Sequence, residues 1–440
     1  MKRGLCTEDH ERYRDTVREF LARTVVPHLQ DWDDRHLVDR EALRAAARTG
    51  VYALAVPEQY GGAGETDYRY RLVVKEETAR VHATSFAVTL GLQDDIVLHY
   101  LLNLCTEEQK RRWLPGFATG DLLGAIAMTE PGAGSDLQGT TTAVRNGENW
   151  ILNGHKTFIS SGTSADIAVV AARTDAAAGK RGLSLFVVER GMAGFTSGAP
   201  LRKLGLHGQD TAELHFDDVV VPQANLLGVE GHGLCHLFDN LVPERVGVIA
   251  ETAARARVIF EETLRYTKER RAFGRAIADF QHTRLELAEM ATELDVAETY
   301  VDRTILAYNA GELTAVDAAK GKWYLSELQK RVVDRCLQLH GGYGLHDGVP
   351  GRARLRRHPH PHHLRGDHRD HEGDHRPRSR RLTVERWPSV KRWRGGRGAS
   401  AWPPRPRRSR GTGRCGSWSA RSAPPRRASR GAGSTIRLPN

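Results

Sequence analysis

Positions Tyr13, Val17, Phe20, Leu21 and Thr24 repeat at helical spacing behind Thr7, a residue suited to cap a first turn. The pattern predicts a helix from Thr7 that ends at Pro27, because proline lacks the N–H that continues a helix. Gly50 closes a second helix over 40–49. Thr106 and Gln109 stand at capping-box spacing for a short helix before Pro115. Pro57-Glu58-Gln59-Tyr60-Gly61-Gly62 reads as a loop. Residues 1–124 are therefore expected to form an all-helical domain. From 125 to 235 the period changes to that of strands. Asn146-Gly147 and Asn153-Gly154 signal hairpin turns between short alternating runs, and 167–172, 183–188 and 212–221 are further β-rich stretches. Long helical patterns return over 236–268, 280–310 and 315–340. The expected class is α+β: an N-terminal helical domain (1–124), a central β-barrel-like domain (125–235), a C-terminal helical bundle (236–344) and a tail (345–440). No internal repeat is visible.

Composition separates the tail from the rest. The formal net charge is +11, yet residues 345–440 hold 25 Lys+Arg against 6 Asp+Glu, and residues 1–344 hold 40 against 48. A mildly acidic body of two or three domains thus carries a basic end, with 11 of the 18 prolines and 8 of the 20 histidines. Such a composition cannot bury an apolar helix face, so the tail is expected to be disordered. The five cysteines include no Cys-x-x-Cys pair. Neither a disulfide framework nor a zinc site is expected, and reduced thiols point to the cytoplasm. No apolar run reaches the roughly 18 residues of a membrane span, and no secretory h-region is visible.

One stretch carries candidate chemistry. The apolar run 122–127 leads into Met128-Thr129-Glu130-Pro131-Gly132-Ala133-Gly134-Ser135-Asp136-Leu137-Gln138-Gly139. A strand running into such a loop exposes backbone N–H groups and hydroxyl donors to a closely approaching flat cofactor. No Gly-Lys-Ser/Thr follows, so it is not a phosphate-binding P-loop. Gly132-Ala133-Gly134 also lacks the third glycine of a dinucleotide fingerprint. Taken alone, the stretch reads equally as an ordinary glycine-rich turn.

Further stretches resolve that tie. They are Asn153-Gly154-His155-Lys156-Thr157-Phe158-Ile159-Ser160, Gly208-Gln209-Asp210-Thr211-Ala212-Glu213-Leu214, Pro243-Glu244-Arg245, Arg270-Arg271-Ala272-Phe273-Gly274 and Gln338-Leu339-His340-Gly341-Gly342-Tyr343-Gly344. In this order and spacing, across residues 1–344, the chain resembles the acyl-CoA dehydrogenase family, and within it the long-chain branch. The resemblance implies FAD as cofactor, an acyl-CoA substrate, an electron-transfer flavoprotein as electron acceptor and a homo-oligomer, dimer or tetramer. It implies flavin contacts from Ile126, Met128, Thr129, Gly134, Ser135, Phe158, Ile159 and Ser160. Phe158 would pack on the ring system, and Ser160 would bond near its hydride-accepting nitrogen. Arg270, Phe273, Gln281, Gln338, Gly341 and Gly342 would reach the FAD of a neighbouring subunit. Ser135, Val242, Pro243 and Arg245 would lie beside the substrate.

The reaction needs a base for the α-proton, a hydride acceptor and hydrogen bonds to the thioester carbonyl. Glu244 lies between Leu241-Val242-Pro243 and Val246-Gly247-Val248, on what reads as the middle of an apolar helix. Desolvation there would make a carboxylate more basic. From the residues alone, a solvated helix-face glutamate paired with a neighbour is the commoner reading. The resemblance assigns Glu244 as the base, as in long-chain and isovaleryl-type enzymes.

After Gly344 the resemblance stops. If each codon from Leu345 is reread from its second base, the degenerate code allows Phe-Met-Thr-Glu-Tyr-Pro-Val-Ala-Arg-Ala-Phe-Val-Asp-Thr-Arg-Ile-His-Thr-Ile-Tyr, and later Gly-Thr-Thr-Glu-Ile-Met-Lys-Glu-Ile-Ile-Gly-Arg. That resembles the family's C-terminal sequence. The tail then reads as a frameshift product, equivalent to one nucleotide inserted near codon 344 or 345. On this reading His358, His360, His362, His363, His368, His371 and His375 are out-of-frame codons, not a metal tract. The arginines with Trp387, Trp393, Trp402 and Trp418 are likewise not a specific nucleic-acid site. Other members of the family carry their base in a C-terminal Tyr-Glu-Gly segment; that codon here spans Arg365 and Gly366, and the translated chain has no glutamate at this point. Two alternatives stay open. One is the same fold acting on an acyl-carrier-protein-linked group or as a nitroalkane-type oxidase, against which a Glu base argues. The other is a nucleic-acid or metal-binding protein built on the tail.

Overall fold

The computed structural model describes residues 3–134, 137 and 139–345. The tail from 346 onward, with its histidines, arginines and tryptophans, lies outside the described residues, as does Ser135.

Seven helices come first: α1 (Glu8–Phe20), α2 (Leu29–Arg35), α3 (Arg40–Arg48), α4 (Tyr68–Arg80), α5 (Thr84–Leu92), α6 (Leu98–Leu104) and α7 (Glu107–Thr119). Thr7 caps α1, its N–H donating to His10 Nδ1 at 3.1 Å, and the periodic face delivers Val17 and Phe20 to the core. Pro27 does not end the helical run. The backbone passes through a π-helical turn, Leu21–Val25, and a 3-10 turn, Val26–His28, into α2. Pro27 sits in the first turn of the 3-10 piece, where a missing N–H breaks no bond. Pro115 likewise lies inside α7 rather than after it. An interior proline costs about 3 kcal/mol, which burial of Trp113, Leu114 and Phe117 on that helix offsets. Thr106 and Gln109 do form the reciprocal cap of α7, at 3.3 and 2.9 Å. Gly50 closes α3 in the left-handed conformation, φ +67°.

The middle segment forms one sheet from β1 (Gly124–Ala127), β2 (Thr142–Asn146), β3 (Asn149–Ser160), β4 (Ile167–Arg173), β5 (Leu183–Glu189), β6 (Phe195–Ser197), β7 (Thr211–Pro222) and β8 (Leu226–Leu227). The strand path is β6-β7-β3-β2-β4-β5-β8, with β1 added parallel to β4. Ile167, Val169 and Ala171 of β4 pack on the helical domain, while Ala168, Val170 and Ala172 face Trp150, Phe186 and Leu214. Burial on both faces explains its uninterrupted apolar run. Asn146-Gly147 opens the β2–β3 hairpin as expected, Asn146 pairing with Asn149. Asn153-Gly154 does not turn the chain. It lies inside β3 at a register shift opposite β7, a bulge. A Cβ at Gly154 would come within 2.5 Å of Thr141 Oγ1, so the residue is glycine for close approach.

The last segment holds α8 (Gly233–Asp239), α9 (Leu241–Glu269), a short hairpin of β9 (Arg271–Ala272) and β10 (Arg275–Ala276), α10 (Gln281–Asn309) and α11 (Ala315–His340). The helix expected over 236–268 breaks at Asn240, whose Nδ2 donates to the His236 carbonyl at 2.8 Å. Val246, Ile249, Ala253, Met290, Leu294, Leu325 and Val332 form its core, joined by Leu5, Tyr68 and Leu72 from the N-terminal region.

Candidate active site

The loop after β1 is anchored from below by a buried ion pair. Lys156 points inward from β3, donating to Glu130 Oε1 at 2.8 Å and to the Met128 carbonyl at 3.1 Å. Glu130 also accepts from the N–H groups of Thr140 (2.6 Å) and Thr141 (2.8 Å). Burial alone would raise the Glu130 carboxyl; Lys156 and the two N–H groups outweigh it and hold the carboxyl at about 2. Thr157 N–H adds a bond to the Thr129 carbonyl at 3.0 Å. Glu130 and Lys156 both lie within the motifs quoted above, but nothing in the sequence marks them as partners.

Among the described residues, a Cβ at Gly132 or Gly134 would meet nothing within 4 Å, and neither glycine has a positive φ. The fold of this chain therefore demands glycine at neither place, whereas a group lying against the backbone would. Ile126, Met128 and Thr129, at the end of β1 and the start of the loop, are half-buried. Phe158 borders a second bulge in the β3–β7 pairing, at φ +57°, and the residue is 68% exposed. A left-handed phenylalanine costs roughly 1–2 kcal/mol. Strain combined with exposure of a large ring is the kind of feature that marks a ligand surface. Ile159 buries its side chain in the sheet core, so it offers a ligand only its backbone; Ser160 is half-buried. These residues fit a large flat cofactor: open backbone, a free aromatic face and nearby hydroxyls.

Glu244 is not in the middle of a helix. It lies in the first turn of α9, after Leu241, Val242 and Pro243, because the break at Asn240 starts a new helix there. Pro243 is tolerated so close to a helix start. Glu244 is buried, and the Tyr100 phenol, pushed up by burial, is pushed further by the Glu244 carboxylate. A helix start favours negative charge. The π-helical turn Gln93–Val97 joins this region to β1. The Gln93 side chain exchanges two bonds with Gly124, at 2.8 and 2.9 Å, and Asp95 packs where a Cβ on Gly247 would lie 2.6 Å from its Oδ2. Tyr100, on α6 directly after that turn, and Gln93 escaped the sequence reading. Arg245 is buried too, and its Nη1 donates to the carbonyl of Ala315 at 3.3 Å.

The remaining candidates gather elsewhere. Arg270 follows α9, its guanidinium 5.2 Å from the ring centroid of Tyr343, which brings the β9–β10 hairpin beside Gly341 and Gly342. Gln281, Gln338, Gly341 and Gly342 are all exposed. Phe273, at the tip of the hairpin, has φ +52° and is 95% exposed. This second strained aromatic stands edge-on to Phe280, with 6.3 Å between ring centroids, and its exposed side fits an outward contact.

Family models described as acyl-CoA dehydrogenase N-terminal, middle and C-terminal domains match residues 7–121, 125–219 and 231–366, the last match running past Gly344, where the quoted motifs end. The chain is 40% identical over 346 residues to the long-chain specific acyl-CoA dehydrogenase, mitochondrial, of Sus scrofa, covering 78% of this chain and 80% of the relative. Among solved structures, an acyl-CoA dehydrogenase from Geobacillus kaustophilus superposes with a TM-score of 0.81 at 43% identity, covering 84% of this chain and 97% of that one. A glutaryl-CoA dehydrogenase from Mycobacterium smegmatis in complex with FADH2 gives 0.76 at 28% identity, covering 84% and 93%.

Proposed function

The chain belongs to the acyl-CoA dehydrogenase family, and from that premise we propose that it dehydrogenates a fatty acyl-CoA between its α and β carbons, with Glu244 as the base. The observation that supports this most is the place of Glu244: buried, at the start of a helix that packs on the π-helical turn, whose other side holds β1, the strand that runs into the glycine loop. A bound FAD supplies the two-electron oxidation. The protein's share is binding and proton removal. Glu244 accepts the α-proton, and burial keeps water from competing for it. Met128, Thr129 and Gly134 would hold the flavin through their backbone, Ser160 through its hydroxyl and Phe158 through its ring face; Ser135, a further contact that the resemblance implies, lies outside the described residues. Val242, Pro243 and Arg245 line the substrate side. Arg270, Phe273, Gln281, Gln338, Gly341 and Gly342 serve a neighbouring subunit's flavin, which makes the working enzyme an oligomer. Electrons pass to an electron-transfer flavoprotein, in the cytoplasm. Among the described residues no helix is long and apolar enough to cross a membrane.

The tail belongs to the same reading. A frameshift near codon 344 or 345 replaces the family's C-terminal segment, so the 440-residue product itself binds FAD poorly. The decisive experiment uses a frame-restored gene. Glu244→Gln should lower turnover about 10²–10⁴-fold, the range of a general base, while the protein stays yellow. Retained turnover on a panel of acyl-CoA thioesters would remove Glu244 from this role. The same panel tests chain length: medium-to-long thioesters should be preferred, and a butyryl-CoA optimum would overturn that preference.

A further inference from the structure

The face of the sheet opposite Lys156 carries a cluster that the dehydrogenation does not use. His155 on β3 stands in direct register with His215 on β7, and Glu213 follows two residues away on the same face of β7. The two imidazole rings lie 4.2 Å apart between centroids, and His155 Nε2 is 3.6 Å from Glu213 Oε2. One donor atom from each of the three residues falls within 4.8 Å of the others. His155 Nε2 is shielded from solvent and makes no hydrogen bond among the described residues. Glu213 Oε1 is steadied by the Thr157 hydroxyl at 3.4 Å.

We infer that His155, His215 and Glu213 form a binding site for a borderline divalent cation such as Zn²⁺, bridging β3 and β7. Two imidazoles and one carboxylate are the donor set of such ions rather than of Mg²⁺ or Ca²⁺, which take oxygen ligands. Tetrahedral Zn²⁺ with bonds near 2.0–2.1 Å places its ligand atoms about 3.3 Å apart. The His155–Glu213 distance is already close to that. The remaining closure is a side-chain rotation, available because both side chains are more than a third exposed, at 37% and 40%. A β register holds the three Cα atoms rigidly, so the ligands start close together and little entropy opposes closure. Three protein ligands leave a fourth position for water. Occupancy would clip β3 to β7 three residues before Phe158.

The test measures Zn²⁺ binding against a chromophoric chelator, and the visible absorption of Co²⁺ as a substitute. It uses the full 440-residue chain and the frame-restored chain, which shares residues 1–344 but lacks the tail's eight histidines. Each is compared with His155→Ala, His215→Ala and the near-isosteric Glu213→Gln. Both parent chains should hold one equivalent that the histidine variants bind at least about tenfold more weakly. Zn²⁺ should also raise the thermal midpoint of the parents and not of those variants. Equal isotherms in parent and variants would mean tail histidines or an adventitious surface site only, and would overturn the inference. Glu213→Gln, which keeps the shape of the strand, guards against a histidine variant that merely fails to fold.

Discussion

At the scale of single residues, the pair formed by Lys156 and Glu130 has the most to lose. Both side chains are almost fully buried, and the carboxylate is satisfied from three sides. Lys156→Met would strand Glu130 as a buried charge. Breaking such a pair costs about 3–5 kcal/mol, and the loop that Lys156 holds through the Met128 carbonyl would loosen with it. The variant should therefore unfold at lower urea and bind FAD more weakly. The pH dependence gives a second readout. A carboxyl lowered from 4.5 to about 2 in the fold stabilises it above pH 4.5, and that contribution fades as pH falls from 4.5 toward 2. Urea midpoints across that window should show the acid loss in the parent and a smaller one in Lys156→Met. An unchanged midpoint and unchanged flavin affinity would mean the pair does not organise the loop.

Elements matter here chiefly where they are interrupted. The break at Asn240 turns one long helix into two and moves Glu244 from a helix middle to a helix start. The bulges in β3 re-aim Phe158 outward. The π-helical turn Gln93–Val97 lets Gln93 face β1 while Asp95 faces α9. Asp95 is itself held by Lys75 at 2.7 Å and by the Tyr68 hydroxyl at 3.0 Å, so it cannot easily move away from Gly247. Gly247→Ala should therefore push α9 off the turn and destabilise the protein by about 1–3 kcal/mol, the usual cost of overpacking. Glu244, less than one turn earlier, would shift with it, so turnover should fall more than flavin binding. Wild-type stability and turnover in Gly247→Ala would show that the contact is soft.

On the scale of the whole molecule, the described C-terminal segment is a bundle of α9, α10 and α11 with large apolar side chains outside. Leu285, Val296 and Leu306 on α10 are all more than half exposed. Such a stripe invites association. If the frameshift reading is right, part of the missing cover is the segment that the shifted frame would encode. Deleting one nucleotide near codon 345 should then yield a soluble, yellow oligomer, and the 440-residue product should aggregate and hold less FAD. Flavin absorbance per chain and elution volume compare the two directly. Equal colour, solubility and activity would refute the frameshift account of its function.

Much of this protein was legible in one dimension. Helix-to-strand-to-helix order follows from apolar period, which is local, and the cap at Thr106 and the stop at Gly50 are also local chemistry. The order and spacing of the motifs pointed to the family, because close backbone approach and hydroxyl donors leave their mark in residue type. Other features were decided only by the fold. Pro27 and Pro115 are strong local breakers, yet packing and position in the turn outweighed them. Asn153-Gly154 carries a hairpin signal, but pairing with β7 on both sides carries the strand through it as a bulge. Lys156 meets Glu130, His155 meets His215 and Tyr100 meets Glu244 across gaps of 26 to 144 residues, and no local pattern encodes those meetings. The sequence determined which elements form and what chemistry they carry. The tertiary structure alone decided which charges lose their water together, as at Glu244, because burial depends on which elements pack over a side chain and not on its neighbours along the chain.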